Sequence, residues 1–344
     1  MASTSSQKPT RRSDTILQTR REPLPWPEDA AFKILSIDGG GIKGIFPAGI
    51  LAELEEKCLG GGHVGDYFDL LTGTSTGGII ALGLGVGLTA RSLLDLYLHE
   101  GHRVFPPRQR ARSRGIFRRF FRNRYDRSDL DELLQEVLAS KTLRDSKYRL
   151  LIPATEAKHG DPCVFKTPHH PGYFLDGDKP MWEVAAATSA APTYLKPVIQ
   201  DGYILLDGGI WANNPTLMGL VEALTCFTVP REQISILSIG CGQNGFRITE
   251  KQTAGAGQFQ WREIIYVAMH YQSLTAVNQA GLLLGRDKVV RMDRPEGGEP
   301  IDLDDWEKAR QLLPGEAVQV ATQHMDRVAT TFFAERATPL TALA

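Results

Sequence analysis

The chain has 344 residues, 42% of them hydrophobic, and a formal net charge of −1. That length can bury a large core, and the balanced charge excludes a globally basic protein of the type that binds nucleic acid polymers. Four widely spaced cysteines form neither a C-x-x-C pair nor a disulfide framework, which favours a reducing, cytoplasmic setting.

Residues 1–31 are polar, rich in serine, arginine and proline, and lack the apolar core of a signal peptide. We therefore predict a flexible N-terminal arm. The longest weakly polar stretch elsewhere, 78–90, is too short and too rich in glycine to span a membrane as a helix.

A glycine-rich turn follows the first predicted strand. Residues 34–37 have the pattern of a buried strand, 45–54 have helical spacing, and DGGGIKG lies between them. Backbone N–H groups at such a turn point towards an anion at the helix N-terminus. Two kinds of anion fit this turn, the phosphate of a dinucleotide and the oxyanion of a reaction intermediate. Gly39, Gly41 and Gly44 match the dinucleotide pattern G-x-G-x-x-G, and the same amides can bind an oxyanion that exists only in a transition state.

The second predicted strand ends in a nucleophile motif. Residues 68–73 are strand-like, an apolar small-residue helix begins near Gly77, and the sequence GTSTG spells G-x-S-x-G at the junction. In that context the serine lies on a strained turn with its Oγ exposed at the sheet edge. Ser75 is therefore the candidate nucleophile.

Strands and helices alternate along the rest of the chain. Thr89 is expected to cap a helix over 90–100, and another helix is predicted over 129–138. This alternation predicts an α/β domain with a parallel sheet covered by helices. The remaining predicted strands are 148–155, 163–167, 203–209 and 234–240, and the remaining helices are 181–190, 261–284 and 316–336.

A serine nucleophile needs a base to take its proton. His270 and His324 fall inside helical patterns, and the other histidines lie away from strand ends. Asp207 ends the apolar strand YILL and precedes two glycines, which places its carboxylate at a strand terminus on the active edge of the sheet. A water-poor site would strengthen this carboxylate as a base, since unperturbed aspartate titrates near pH ~3.9.

With a serine and a carboxylate as a pair, the glycine turn is interpreted as an oxyanion hole. The dinucleotide interpretation requires an acidic residue about 20 positions further on to bind ribose. The acidic residues in that range, within 53–56, fall on the predicted helix, where a solvated face explains them more simply. The predicted oxyanion donors are the backbone amides of Gly39, Gly40 and Gly41.

Three motifs in this order, DGGGIKG at 38–44, GTSTG at 73–77 and DGG at 207–209, resemble those of the patatin-like phospholipase family. The blocks TSAAPTYLKP and DGGIWANNPT are similar to that family as well. The resemblance implies a patatin-like three-layer α/β fold with a mostly parallel central sheet. It makes 32–245 the catalytic domain and 246–344 a helix-rich C-terminal extension packed on it.

In that family a Ser–Asp dyad cleaves fatty acyl esters of phospholipids. The resemblance implies that Ser75 is the nucleophile and Asp207 the base, with the glycine turn as oxyanion hole. Such a dyad needs neither a metal ion nor another cofactor. Lys43 stands where the family often has arginine, so the charge is kept but the bidentate guanidinium is lost.

The resemblance also implies partners. Bacterial members of the family include antiphage effectors that cyclic oligonucleotides activate to degrade the cell's own membrane. The chain is similar to that branch in its size and its unassigned tail, which is a candidate ligand-sensing element or homo-oligomer surface. A cyclic nucleotide activator and a cytoplasmic protein acting at the membrane surface are therefore expected.

Two other functions remain open at this point. One is a histidine-using α/β-hydrolase for small soluble esters, which replacement of each downstream histidine would reveal. The other is a catalytically silent binding protein on the same fold. The presence of Ser75, Asp207 and the glycines argues against the silent protein.

The segment 103–127 holds ten arginines and one acidic residue. Its apolar residues recur at helical spacing beside arginines, which is the composition of an amphipathic helix that lies in a membrane interface. Alternatively, the aromatic residues pack on the core and the arginines remain solvated. The predicted membrane contacts are Phe117, Arg118, Arg119, Phe120, Phe121 and Arg122.

Overall fold

The computed structural model describes residues 21–106, 125–242, 264–295 and 297–340, and a central sheet of eight strands organises them. The strands are β1 (Phe32–Ile37), β2 (Leu70–Gly73), β3 (Arg149–Glu156), β4 (Asp161–Lys166), β5 (Val198–Gln200), β6 (Tyr203–Asp207), β7 (Ile234–Ile239) and β8 (Val289–Met292). Their order is β5-β6-β3-β2-β1-β7-β8, with β4 paired to β3.

The strands from β3 through β2, β1 and β7 to β8 run parallel, as the sequence pattern predicts. β1 is buried along its whole length, so both of its faces need apolar cover. Because side chains alternate between faces, Leu35 and Ile37 join one hydrophobic core while Phe32 and Ile34 join the other.

Helices cover both faces of the sheet. They are α1 (Ile45–Cys58), α2 (Thr76–Gly85), α3 (Ala90–Val104), α4 (Ser128–Leu138), α5 (Met181–Thr188), α6 (Gly209–Ala212), α7 (Thr216–Cys226), α8 (Ile264–Leu284) and α9 (Trp306–Phe332). Helices α1 to α5 and α9 contribute to one core, and α7 and α8 to the other. Thr89 caps α3 as predicted, because its hydroxyl accepts a hydrogen bond from the Ser92 amide. The three-layer α/β fold is confirmed.

The other three strands, β4, β5 and β6, pair in the antiparallel sense. Asp207, the last residue of β6, pairs with Ala154 of β3. Ala154 lies three residues after Leu151, and Leu151 pairs with Thr72 near the end of β2. The end of β6 therefore meets the edge of the sheet where β2 ends, even though β6 runs in the opposite direction.

The chain beyond residue 245 contributes to the sheet as well as to the helical layers. β8 pairs with β7 in parallel, and α9 packs against α1. The sequence pattern predicted a mostly helical tail and missed this strand. It also placed the start of the last helix at 316, whereas α9 begins at Trp306 and continues through Pro314.

The first described residues, 21–31, pack on the domain. The Trp26 ring lies 4.7 Å from that of Phe32 and 5.2 Å from that of Phe227, measured between centroids, and is buried. The predicted flexibility of the arm is therefore wrong for this stretch, because its aromatic side chain completes a core. Residues 1–20 lie outside the described residues.

None of the helices in the described ranges combines the length and the hydrophobicity that crossing a membrane requires. Most of the arginine-rich segment, 107–124, lies outside the described residues. The predicted membrane contacts within it therefore stay predictions: Phe117, Arg118, Arg119, Phe120, Phe121 and Arg122.

Candidate active site

Ser75 occupies the sharp turn between β2 and α2, as the G-x-S-x-G pattern predicts. Its backbone has φ 54° and ψ −120°, a strained conformation for a residue with a side chain. The flanking chain passes so close that a Cβ on Gly73 would lie 2.1 Å from the carbonyl oxygen of Gly77. Glycine at position 73 is therefore a steric requirement of the turn that presents Ser75.

Hydrogen bonds on two sides hold this turn. The Ser75 amide donates to Oγ1 of Thr188 (3.0 Å), whose hydroxyl donates to the carbonyl of Pro153 (2.5 Å). On the other side, the Thr74 hydroxyl donates to the carbonyl of Ala212 (2.6 Å). These contacts offset the backbone strain and keep the nucleophile in one orientation.

The Ser75 side chain interacts with the carboxylate of Asp207. The Gly209 amide donates to Oδ1 of the same carboxylate (2.7 Å). Both side chains are nearly buried, with 8% of Ser75 and 6% of Asp207 exposed. Burial raises the pKa of Asp207 to about 6, against the smaller opposing effects of the Gly209 and Ser75 hydrogen bonds. Asp207 is therefore a stronger base than an exposed aspartate and is still ionised at neutral pH.

A pH dependence follows from this pKa. We expect kcat/KM on a soluble ester to fall as the pH drops through about 6, because only the ionised form of Asp207 accepts a proton. Above that pH the rate should reach a plateau. The measurement is kcat/KM from pH 5 to 8 in buffers of constant ionic strength, with folding checked at each pH. A flat profile across this range would contradict the role of Asp207 as base.

The glycine turn between β1 and α1 lies beside the nucleophile, since a Cβ on Gly39 would come within 3.4 Å of the Ser75 Cβ. Gly41 has φ +58°, and a Cβ there would meet the carbonyl oxygen of Leu303 at 2.4 Å. In the described part of the chain, the amides of Gly40 and Gly41 donate to no protein acceptor. These two amides are available to an oxyanion.

The prediction for Gly39 is wrong. Its amide donates to the backbone carbonyl of Asn213 (2.9 Å), so it is already occupied. This bond joins the glycine turn to the segment that follows Asp207. Gly39 therefore helps to place the turn, and the candidate oxyanion donors are the amides of Gly40 and Gly41.

All eight histidines fall in the described ranges, and none of them hydrogen-bonds to Ser75 or Asp207 there. The two histidines downstream with helical patterns, His270 and His324, lie on α8 and α9. Within the same ranges, no group of three histidine, cysteine, aspartate or glutamate side chains is arranged to hold a metal ion.

The structure adds an ion pair that the sequence interpretation missed. Asp38, which precedes the glycine turn, forms a salt bridge with Arg291 of β8 (2.7 Å). An arginine inside the apolar strand sequence VVRM was the available signal. Lys43 is also buried, and its ammonium donates to the carbonyl of Gly242 (2.5 Å), so it fixes a neighbouring loop.

Known proteins match the part of the chain that carries the glycine turn, Ser75 and Asp207. The patatin-like phospholipase family model matches residues 35–220. A Vibrio cholerae protein named cGAMP-activated phospholipase is 39% identical over 241 residues, which cover 65% of this chain and 68% of that protein. A Pseudomonas aeruginosa protein of the same name is 36% identical over 233 residues, covering 67% and 68%. Patatin-like protein 2 of Arabidopsis thaliana is 32% identical over 265 residues, covering 66% and 64%.

Proposed function

The chain belongs to the patatin-like phospholipase family, and from that membership we propose that it hydrolyses fatty acyl esters of membrane phospholipids through Ser75 and Asp207. The observation that carries the proposal is the strained turn that brings the Ser75 side chain to the buried Asp207 carboxylate. The glycine turn with two unpaired amides lies beside this pair. A nucleophile, a base and oxyanion donors are the groups that acyl transfer needs.

In the first half of the reaction, Ser75 Oγ attacks the ester carbonyl carbon while Asp207 takes the hydroxyl proton. The carbonyl oxygen becomes an oxyanion that accepts hydrogen bonds from the amides of Gly40 and Gly41. Collapse of this tetrahedral intermediate breaks the ester C–O bond. The leaving lysophospholipid oxygen takes the proton from Asp207, and the fatty acyl group remains on Ser75.

In the second half, water attacks the acyl-enzyme. Asp207 takes a proton from this water and the same two amides bind the second oxyanion. Collapse returns the proton to Ser75 Oγ and releases the fatty acid. The dyad therefore ends the cycle as it began, with an ionised carboxylate and a neutral serine.

Regulation by a nucleotide belongs to the same proposal. Two relatives are named cGAMP-activated phospholipase. We propose that cGAMP or a similar cyclic dinucleotide also activates this chain, in addition to the proposed reaction. A cyclic dinucleotide would then switch on hydrolysis of the cell's own membrane from its cytoplasmic face, which fits an effector of antiphage defence.

The experiment is mass spectrometry of the lipids after incubation of purified protein with vesicles of phosphatidylethanolamine and phosphatidylglycerol. Wild type and Ser75→Ala are each incubated with cGAMP, without it, and with an equimolar mixture of AMP and GMP. We expect free fatty acid and lysophospholipid only from wild type with cGAMP.

The outcomes separate the parts of the proposal. Release of fatty acid by wild type without cGAMP would contradict the proposed activation and still support the proposed hydrolase activity. No release under any condition, or equal release by Ser75→Ala, would contradict the hydrolase itself. Loss of activity on replacement of a downstream histidine would instead support the histidine-using esterase. A protein that binds vesicles without hydrolysing their lipids would support the silent alternative.

The arginine-rich segment extends the proposal to the membrane surface. Its arginines and aromatic residues have the composition of an interfacial helix. Each basic residue near an anionic surface contributes about 1 kcal/mol to binding, so several together would hold a soluble enzyme on anionic lipid. We propose that it contacts the membrane through Phe117, Arg118, Arg119, Phe120, Phe121 and Arg122.

Changing Arg118, Arg119 and Arg122 together to glutamate should weaken sedimentation with anionic vesicles and lower phospholipid hydrolysis. Turnover of a short soluble ester should be nearly unchanged. The difference in vesicle hydrolysis between wild type and the variant should shrink as the salt concentration rises. A matched control applies the same charge change to three exposed arginines elsewhere, Arg231, Arg286 and Arg336. Equal losses on vesicles and on the soluble ester would contradict a docking role.

A further inference from the structure

A salt bridge between a half-buried arginine and a buried aspartate lies directly behind the glycine turn. Arg291 donates from Nη1 to Oδ1 of Asp38 (2.9 Å) and from Nη2 to Oδ2 (2.7 Å). Asp38 is fully buried and immediately precedes Gly39. Two parallel hydrogen bonds between a guanidinium and a carboxylate fix both the position and the orientation of the carboxylate.

The same guanidinium joins the ends of two neighbouring strands. Nη1 also donates to Oγ of Ser238 in β7 (2.8 Å), and Nη2 donates to Oδ2 of Asp293, just after β8 (2.6 Å). The other carboxylate oxygen of Asp293, Oδ1, accepts a hydrogen bond from the Gly242 amide (2.9 Å). Arg291 therefore ties the turn after β1 to the segments that follow β7 and β8.

The pair is sensitive to loss of either partner. Burial raises the pKa of Asp38, while the charge and hydrogen bonds of Arg291 act in the opposite direction. Without the arginine, a carboxylate would remain buried with no cation beside it, which strongly disfavours its present position. The Asp38 backbone would move with its side chain, and the amides that follow would move with the backbone.

We propose that Arg291 is a positioning residue for catalysis, which acts through Asp38 to aim the amides of Gly40 and Gly41 at the oxyanion. The inference rests on the proposed function, since an oxyanion exists only if the chain hydrolyses an ester. Arg291 makes no hydrogen bond to Ser75 or Asp207 among the described contacts. Its effect on the reaction is therefore indirect.

Arginine is required here by geometry as well as by charge. Its planar fork donates to four separate oxygens on Asp38, Ser238 and Asp293. A lysine ammonium is a single nitrogen that cannot span both oxygens of Asp38 and the other two acceptors. Arg291→Lys thus keeps the charge and removes the alignment.

The experiment compares purified full-length Arg291→Lys with Arg149→Lys. Arg149 is a matched control because it too is a strand arginine with several acceptors, the carbonyls of Asp69, Thr338 and Pro339, at the start of β3. Three quantities are measured for wild type and each variant with cGAMP present: kcat and KM on a short soluble ester, Ki for a trifluoromethyl ketone of matching chain length, and the thermal unfolding midpoint.

We expect Arg291→Lys to lower kcat roughly 10- to 100-fold, somewhat less than loss of an oxyanion donor itself, with KM nearly unchanged. The ketone forms a tetrahedral oxyanion on the serine, so its Ki should rise by a similar factor. Arg149→Lys should lower the unfolding midpoint at least as much and leave kcat and Ki near wild type.

A second variant, Asp38→Asn, keeps the shape of the carboxylate and tests the same link if Arg291→Lys does not fold. It should show the same lowered kcat and raised Ki with a nearly constant KM. Values for folded Arg291→Lys or Asp38→Asn that match Arg149→Lys would overturn the inference. A wild type that is inactive with cGAMP present would instead contradict the proposed function.

Discussion

Replacing Ser75 with alanine is expected to reduce ester hydrolysis by roughly 10⁴-fold or more, because the change removes the oxygen that we propose as the nucleophile. The protein should stay folded. Alanine has the same Cβ as serine, so the strained backbone at φ 54° changes little, and the amide can still donate to Thr188. The measurement is kcat on a short soluble ester, together with the thermal unfolding midpoint.

Ser146→Ala is the matched control for this variant. Ser146 is also nearly buried, and its hydroxyl donates to the carbonyl of Tyr148 (2.8 Å), at the start of β3 and away from the nucleophile turn. Its replacement removes a buried hydroxyl and should leave kcat unchanged. Retention of kcat by Ser75→Ala would show that another group is the nucleophile.

Replacing Asp207 with asparagine is expected to lower kcat by roughly 10³-fold. Asparagine fits the same space but cannot accept the Ser75 proton as the carboxylate does. Because the two residues act as one unit, Ser75→Ala/Asp207→Asn should be little worse than Ser75→Ala alone. The measurement is kcat for the two single variants and the double variant on one ester.

Asp69→Asn serves as the control for this change. Asp69 is buried too, and its carboxylate accepts hydrogen bonds from the backbone amides of Lys33 and Thr338. Burial raises its pKa, as it does that of Asp207. Asp69 lies before β2, at the end opposite to Ser75, so its replacement can affect stability but should leave kcat intact. Near-normal turnover by Asp207→Asn, or losses that multiply in the double variant, would contradict a Ser–Asp dyad.

The parts of the fold that the sequence predicts are those with strong local signals. β1 and β7 are mostly apolar and are buried along their whole length, because both of their faces are covered by helices. The nucleophile turn was predictable for a similar reason, since G-x-S-x-G and the steric requirement at Gly73 are local. Asp207 was selected as the candidate base because an apolar strand ends in a carboxylate followed by glycines.

Other parts depend on contacts that no local pattern reveals. β8 has four residues with an arginine among them, which is too short and too polar for a clear strand pattern. The Gly39 amide is occupied only because the segment around Asn213 folds back beside it. The burial of Trp26 likewise depends on Phe227, which is far away in the chain. These features follow from tertiary packing and became visible only in the structure.

The most direct test of the central claim, that Ser75 is the activated nucleophile, is the location of a covalent adduct. The wild-type protein is inactivated with a fluorophosphonate in the presence of cGAMP and digested, and the modified peptide is identified by mass spectrometry. We predict one phosphonyl group, carried on Ser75, with activity lost in proportion to its formation. Asp207→Asn should react much more slowly and Ser75→Ala not at all. A phosphonyl group on another residue, or inactivation that leaves Ser75 unmodified, would contradict the account.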